Sequence, residues 1–193
     1  QWVAGKIGGA LDFGGDGDFV EDEDGEDYIN GLTAISITMW IKSDVVGTDS
    51  GFIIFANPSG NDQQNIRYDA DGGEGDINLI KYGMEFTSGE EADESSANIQ
   101  TTDWQHIAVT TASGAGLKLY INGVLDIPSE DDASVTGVIV NCTTLIVGKG
   151  GKDEGASAGW DGLIDDVRIY NRVLSHAEVA WLAGRTEPFD KPF

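Results

Sequence analysis

The stretch WDGLIDDVRIYNRVLS, residues 160–175, decides the fold. Residues 163–170 alternate with the two-residue period of a β-strand that buries one face. The predicted buried stripe comprises Leu163, Asp165, Val167 and Ile169. An isolated buried carboxylate is too costly to keep. We therefore expect Asp165 to be ion-paired, hydrogen-bonded or bound to a metal ion.

A short helix is predicted directly after this strand. Ser175 and Glu178 have the spacing of a capping box, in which the two side chains satisfy the first free backbone amides of a helix. Gly184 is placed to end the helix after Ala183. The segment thus predicts a final strand, a turn and one short C-terminal helix.

Residues 160–175 resemble the closing strand of the laminin-G-like, concanavalin-A-like jelly-roll domains of secreted bacterial proteins. Residues 10–20, ALDFGGDGDFV, resemble the opening strand and turn of that family, and residues 104–123 resemble its central hairpin. The resemblance covers about residues 8–183. It implies an all-β, antiparallel two-sheet jelly-roll sandwich in which the opening and closing strands pair. Because one fold hosts many activities, it says less about function.

The rest of the sequence agrees with one β-sandwich. The chain has 27 Gly and only 4 Pro, and it carries short Ile-, Val- and Thr-rich segments, for example the stripe Ile35, Ile37, Met39 and Ile41. The opposite stripe contains Trp40, which we expect to lie under a loop. We divide the chain into a jelly-roll domain, residues 1–183, and a C-terminal linker or docking arm, residues 184–193.

Charge excludes two classes of partner. With 34 acidic and 11 basic residues the net charge is -23, so nucleic acid and anionic membranes would repel the chain. No apolar run approaches the 18 residues of a membrane span. The sequence starts at Gln1 rather than Met, which favours a processed secreted protein or a piece of a longer chain, and hence an extracellular or cell-surface location.

The acidic loops favour calcium, which needs six to eight oxygen ligands. In the resembled family a calcium ion often joins the opening turn to the closing strand. The resemblance implies Asp18 and Asp165 as ligands, together with backbone carbonyls near Gly14 and Gly15. Members of the family commonly have Asp where this chain has Gly14. A weaker metal alternative is the acidic hairpin that contains Asp69, Asp71 and Asp76, which lacks the ligand spacing of an EF-hand.

No catalytic site is predicted. Glycoside hydrolases of this fold resemble one another in a strand with the pattern Glu-x-Asp-x-x-Glu, and this chain has no such strand. Polysaccharide lyases of this fold use clustered Arg, His, Tyr and Gln, whereas only His106 falls in a predicted strand here. We therefore expect a protein that is not an enzyme.

Carbohydrate binding requires exposed aromatic rings beside amides and carboxylates. The aromatic residues in or beside predicted loops are Trp160, Tyr28, Tyr68 and Tyr82. The position of Trp160 is commonly aromatic in the resembled family, where its role is structural. These four residues are the weak carbohydrate-binding candidates of the sequence.

The predicted function is a non-catalytic, calcium-stabilised adhesion or assembly module of an extracellular surface or matrix protein. A carbohydrate-binding module of a polysaccharide-degrading enzyme is the alternative, ahead of a glycoside hydrolase or polysaccharide lyase. Trp2, Phe189 and Phe193 lie on apolar arms that we expect to dock on this domain or on a neighbouring copy. The predicted partners are an extracellular polysaccharide or other copies. Asn141 begins an Asn-Cys-Thr glycosylation pattern.

Overall fold

A computed structural model describes residues 1–15, 17–57, 64–71, 77–126, 135–150 and 159–184. Within these ranges the chain forms 13 strands and two short helices. The elements are β1 (Trp2–Ala4), β2 (Gly9–Gly14), β3 (Val20–Asp22), α1 (Glu26–Ile29), β4 (Ala34–Ser43), β5 (Ser50–Ala56), β6 (Asn65–Asp71), β7 (Ile77–Phe86), β8 (Gly89–Glu94), β9 (Gln105–Ala112), β10 (Leu117–Ile121), β11 (Val124–Leu125), β12 (Thr144–Val147), β13 (Asp161–Tyr170) and α2 (His176–Ala183).

The strands form two antiparallel sheets. The first has the order β1-β2-β13-β4-β9-β10-β11, and the second has the order β3-β12-β5-β6-β7-β8. The opening strand β2 pairs with the closing strand β13, with Leu11 opposite Ile164. The prediction of an all-β jelly-roll sandwich with a short C-terminal helix is confirmed. The one-turn helix α1 is an addition that the sequence did not reveal.

The core lies between the two sheets. The predicted stripe of β4 is buried and packs with Phe52, Phe55 and Tyr68 of the second sheet in one hydrophobic cluster. Burying a large apolar side chain stabilises the fold by about 1.5–3 kcal/mol, so this cluster is the main source of stability.

The outer face of the first sheet is covered at one end by α2. Leu174, Val179 and Leu182 pack there against Ala108 and Tyr120. The predicted capping box is present: the Ser175 side chain accepts the Glu178 backbone amide, and the Glu178 side chain accepts the Ser175 amide. Gly184 caps the other end of the helix.

Residues 5–8 form a strap over the other end of the same face. The Nζ of Lys6 lies 4.7 Å from the centre of the Trp40 ring, and Trp40 is buried. The expectation that Trp40 lies under a loop is therefore confirmed. Gly5 is required within the strap, because a side chain there would collide with the Asp165 carboxylate and with the backbone of Ala10.

Asp165 lies under this strap and not in the core stripe predicted for it. Three steps along β13, from Asp165 to Arg168, face only two steps along β4, from Trp40 to Thr38. This β-bulge, in which Asp166 has a φ of 51°, turns Asp165 to the outer face and leaves Val167 exposed. The buried carboxylate accepts the backbone N–H of Ile7 at 2.7 Å. Of the three predicted ways to satisfy Asp165, the structure uses hydrogen bonding.

Candidate functional site

Three of the four predicted carbohydrate platforms lie in the core. Trp160, Tyr68 and Tyr82 are 0% exposed. The Trp160 ring packs edge-on against Phe52 at 4.9 Å and against Tyr68 at 5.4 Å between ring centres. Tyr68 and Tyr82 sit on β6 and β7 with their rings in the core cluster between the two sheets. None of the three rings can stack on a sugar.

The fourth candidate, Tyr28, is 46% exposed on α1. Its hydroxyl donates to an Asp22 carboxylate oxygen at 2.7 Å, which raises the pKa of Tyr28 and lowers that of Asp22. Asp24 and Asp27 lie near enough to raise the Tyr28 pKa further. Tyr28 is thus accessible, but it belongs to an acidic segment rather than to a cleft found in the structure.

An open cleft lies instead between the end of β13 and α2. Its volume is about 600 Å³, within the usual range of ligand-binding sites. The lining residues are Tyr170, Arg172, Leu174, Ala177, Glu178, Trp181 and Leu182. The sequence prediction named none of them as a site residue.

Trp181 is the exposed aromatic ring of this cleft, with 51% of its surface accessible. Val179 and Leu182 of the same helix face the sheet. Ala177 and Trp181 are four residues apart, so they share a face that points into the cleft. The helix therefore presents an indole ring beside a floor of small and aliphatic side chains.

An exposed ion pair forms the rim. The terminal nitrogens of Arg172 lie 2.7 and 3.1 Å from the two carboxylate oxygens of Glu178. Hydrogen bonds from Arg172 and then from Ser175 lower the pKa of Glu178 to about 2. The Arg172 guanidinium also lies over the Tyr170 ring, 5.9 Å from its centre. Arg172, Glu178 and Ser175 thus form one hydrogen-bonded group on the rim.

The cleft combines an aromatic face with hydrogen-bonding groups. The C–H face of a sugar can stack on Trp181, while its hydroxyls can meet Glu178 and the N–H groups of Arg172 that remain. Of the residues that line the cleft, only Glu178 is a carboxylate, whereas glycoside hydrolysis ordinarily uses two. The arrangement is therefore suited to binding.

The predicted calcium ligands do not converge. Asp18 accepts the Gly14 amide at 3.1 Å, and Asp161 is the β13 residue opposite Gly14. Asp165 lies four residues further along β13, which corresponds to roughly 13 Å of strand. Asp18 and Asp165 thus cannot share one ion. Among the residues that the structure describes, no group of three or more carboxylate, histidine or cysteine side chains is placed to hold a metal.

The weaker metal alternative lies only partly within the described residues. Asp69 is buried on β6 and forms ion pairs with Arg67 at 3.2 Å and with Lys81 at 3.9 Å, so its charge is already balanced. Asp71 pairs with Ile77 across the β6–β7 hairpin. The Asp71 side chain and the whole of Asp76 lie outside the described residues.

The remaining residues predicted from the sequence are those of the assembly arms and of the glycosylation pattern. Trp2 is 72% exposed on β1, the edge strand of the first sheet. Phe189 and Phe193 lie outside the described residues. Asn141 is exposed, with a φ of 66°, and its side-chain amide donates to Glu85.

The two stacked antiparallel sheets, joined by the β2–β13 pair, define a lectin-like jelly-roll domain. Residues 14–180 match the Laminin_G_3 family of the concanavalin A-like lectin/glucanases superfamily, and the chain belongs to this family. No curated protein matches the chain significantly. None of the described helices is long and apolar enough to cross a membrane.

Solved structures share the fold. One is domain 4 of AbnA, a GH43 extracellular arabinanase from Geobacillus stearothermophilus, in complex with arabinotriose. It is 24% identical to this chain, with a TM-score of 0.68, and the match covers 94% of this chain and 80% of that domain. The Ruminococcus gnavus IT-sialidase CBM40 bound to α2,3-sialyllactose is 15% identical, with a TM-score of 0.60 and coverages of 80% and 84%. The botulinum neurotoxin serotype D ligand-binding domain in complex with N-acetylneuraminic acid is 17% identical, with a TM-score of 0.63 and coverages of 95% and 44%.

Proposed function

We propose that this chain is a non-catalytic carbohydrate-binding module whose ligand stacks on Trp181. The observation that carries the proposal is the cleft beside α2, where a half-exposed indole adjoins a hydrogen-bonded arginine–glutamate pair. Structures of the same fold that contain arabinotriose, sialyllactose or N-acetylneuraminic acid support a sugar as the class of ligand.

The expected contribution of Trp181 follows from its area. A tryptophan side chain buries about 150–250 Å² when fully covered, so covering its exposed half removes about 100 Å² from water. At about 25 cal/mol per Å² this corresponds to roughly 2.5 kcal/mol of binding free energy. Loss of the ring should therefore weaken binding about 60-fold.

We further propose that the module works outside the cell and is attached to a longer polysaccharide-degrading or surface protein. The match to a domain of an extracellular arabinanase supports this context. Residues 1–183 would form the module, because α2 ends at Ala183, and residues 184–193 would form the linker or arm.

The test begins with a glycan array and continues with titration calorimetry on the oligosaccharides that bind. Trp181→Ala should weaken binding about 60-fold, and Trp181→Phe should weaken it less, because a smaller ring remains. Trp2→Ala is the matched control, since Trp2 is an exposed tryptophan that does not line the cleft. Full affinity in Trp181→Ala, or an equal loss in Trp2→Ala, would refute the proposal.

Self-association is a second candidate function, favoured by the position of Trp2. Among the described strands β1 lies at the edge of its sheet, so its exposed tryptophan offers apolar area to a neighbouring copy and its outer side can pair with a strand of that copy. We expect Trp2→Ala, and deletion of residues 187–193 with Phe189 and Phe193, to reduce the solution mass of any assembly. Light scattering in the presence of calcium measures this, and an assembly of unchanged mass would exclude both arms.

A further inference from the structure

The arginine of the cleft rim is occupied by a carboxylate of its own chain. A guanidinium recognises a carboxylate most strongly when both terminal nitrogens donate along one edge. In Arg172 these nitrogens already donate to Glu178, and one of them also reaches the Val173 carbonyl at 3.4 Å. A carboxylated sugar would have to displace Glu178 to obtain the same contact.

Glu178 is not free to move aside. One of its carboxylate oxygens accepts the Ser175 backbone amide and the Ser175 hydroxyl, both at 2.8 Å. The bond from the Ser175 amide closes the capping box of α2, so moving the carboxylate would open the start of the helix. A ligand that withdrew Arg172 would leave this carboxylate in place as a negative charge on the rim.

The chain as a whole adds to the repulsion. Its net charge of -23 creates a negative potential around the domain, which screening at physiological salt reduces beyond about 8 Å. An uncharged sugar meets no such opposition. It can stack on the Trp181 ring and donate a hydroxyl to Oε1 of Glu178, which accepts from Arg172 at 2.7 Å, without disturbing the ion pair.

From this geometry we propose that the cleft selects uncharged sugars and rejects those that carry carboxylate or sulfate groups. The inference rests on the proposed function, because it takes the cleft as the glycan site. It makes Glu178 the residue that sets specificity, while Trp181 supplies affinity.

The experiment compares neutral and carboxylated oligosaccharides, with arabinotriose and trigalacturonate as probes within a wider array. We expect the wild-type protein to bind neutral sugars at least tenfold more tightly than carboxylated ones. The affinity for neutral sugars should change less than about twofold between roughly 0.05 and 0.5 M salt, because no ligand charge is involved.

Glu178→Gln is the decisive variant. Glutamine preserves the N3 position of the capping box but releases the edge of Arg172, so the ratio of carboxylated to neutral affinity should rise at least about fivefold. Glu23→Gln removes one charge at an exposed position outside the cleft and should leave this ratio unchanged.

The outcomes separate the two proposals. A wild-type protein that binds carboxylated sugars as tightly as neutral ones, or an unchanged ratio in Glu178→Gln, overturns the inference and leaves the glycan site standing. Absence of binding to any sugar, or binding that is independent of Trp181, overturns the proposed function and the inference with it.

Discussion

Removing the Asp165 carboxylate should release the strap that covers the outer face of the first sheet. In Asp165→Ala the buried N–H of Ile7 loses its acceptor, and a buried donor without a partner costs about 1–3 kcal/mol. A domain of this size shifts its melting temperature by about 2–4 °C per kcal/mol. We therefore expect a fall of roughly 2–12 °C.

Two further variants identify the cause of the fall. Asp165→Asn keeps an oxygen acceptor for Ile7 and should cost clearly less than Asp165→Ala. Gly5→Ala introduces a methyl group into the Asp165 carboxylate and should also destabilise the strap. Thermal unfolding followed by circular dichroism, with hydrogen exchange at the Ile7 amide, measures both effects. A melting temperature within about 1 °C of wild type in Asp165→Ala, with unchanged Ile7 protection, would refute the reasoning.

Three other predictions follow from single groups. We propose that any calcium that stabilises the fold acts near Gly14. Asp18→Asn should then abolish the calcium-dependent rise in melting temperature, and Asp165→Asn should retain it. The reverse pattern would contradict the separation of Asp18 and Asp165. Because the pKa of Glu178 is lowered from 4.5 to about 2, its stabilisation is present above the ordinary value and is lost as the pH falls through about 2. The melting-temperature difference between wild type and Glu178→Gln should shrink as the pH falls from 4.5 to about 2. A difference that stays constant over this pH range would exclude a stabilising contribution from the Glu178 charge. Burial raises the pKa of Cys142 to about 12, so iodoacetamide should modify the unfolded protein but not the native one.

The fold was predictable where local patterns and the tertiary structure agree. The alternation of Ile35 to Ile41 is buried as predicted, and the Ser175 capping box begins α2. The bulge at Asp165 was not predictable, because it requires a non-glycine residue, Asp166, to adopt a positive φ. A shift of one residue exchanges the faces of a strand, and hence the face of Asp165 was predicted wrongly.

The site was less predictable than the fold. Trp181 lies inside the predicted helix, and placing Val179 and Leu182 on the buried side would have left it exposed. The cleft itself depends on how α2 sits against the end of β13, which no local pattern specifies. Tyr68 was predicted to lie in or beside a loop, whereas pairing with its neighbouring strands turns it into the core.

The indole N–H signals of the protein test the central claim most directly. The chain has 5 tryptophans, so a ¹H–¹⁵N spectrum shows few indole peaks, and Trp181→Phe identifies that of Trp181 by its loss. On titration with an oligosaccharide that binds, the Trp181 peak should move in a saturable way, while those of the buried Trp40 and Trp160 stay fixed. A Trp181 peak that remains still while the ligand binds would contradict the assignment of the glycan site to the α2 cleft.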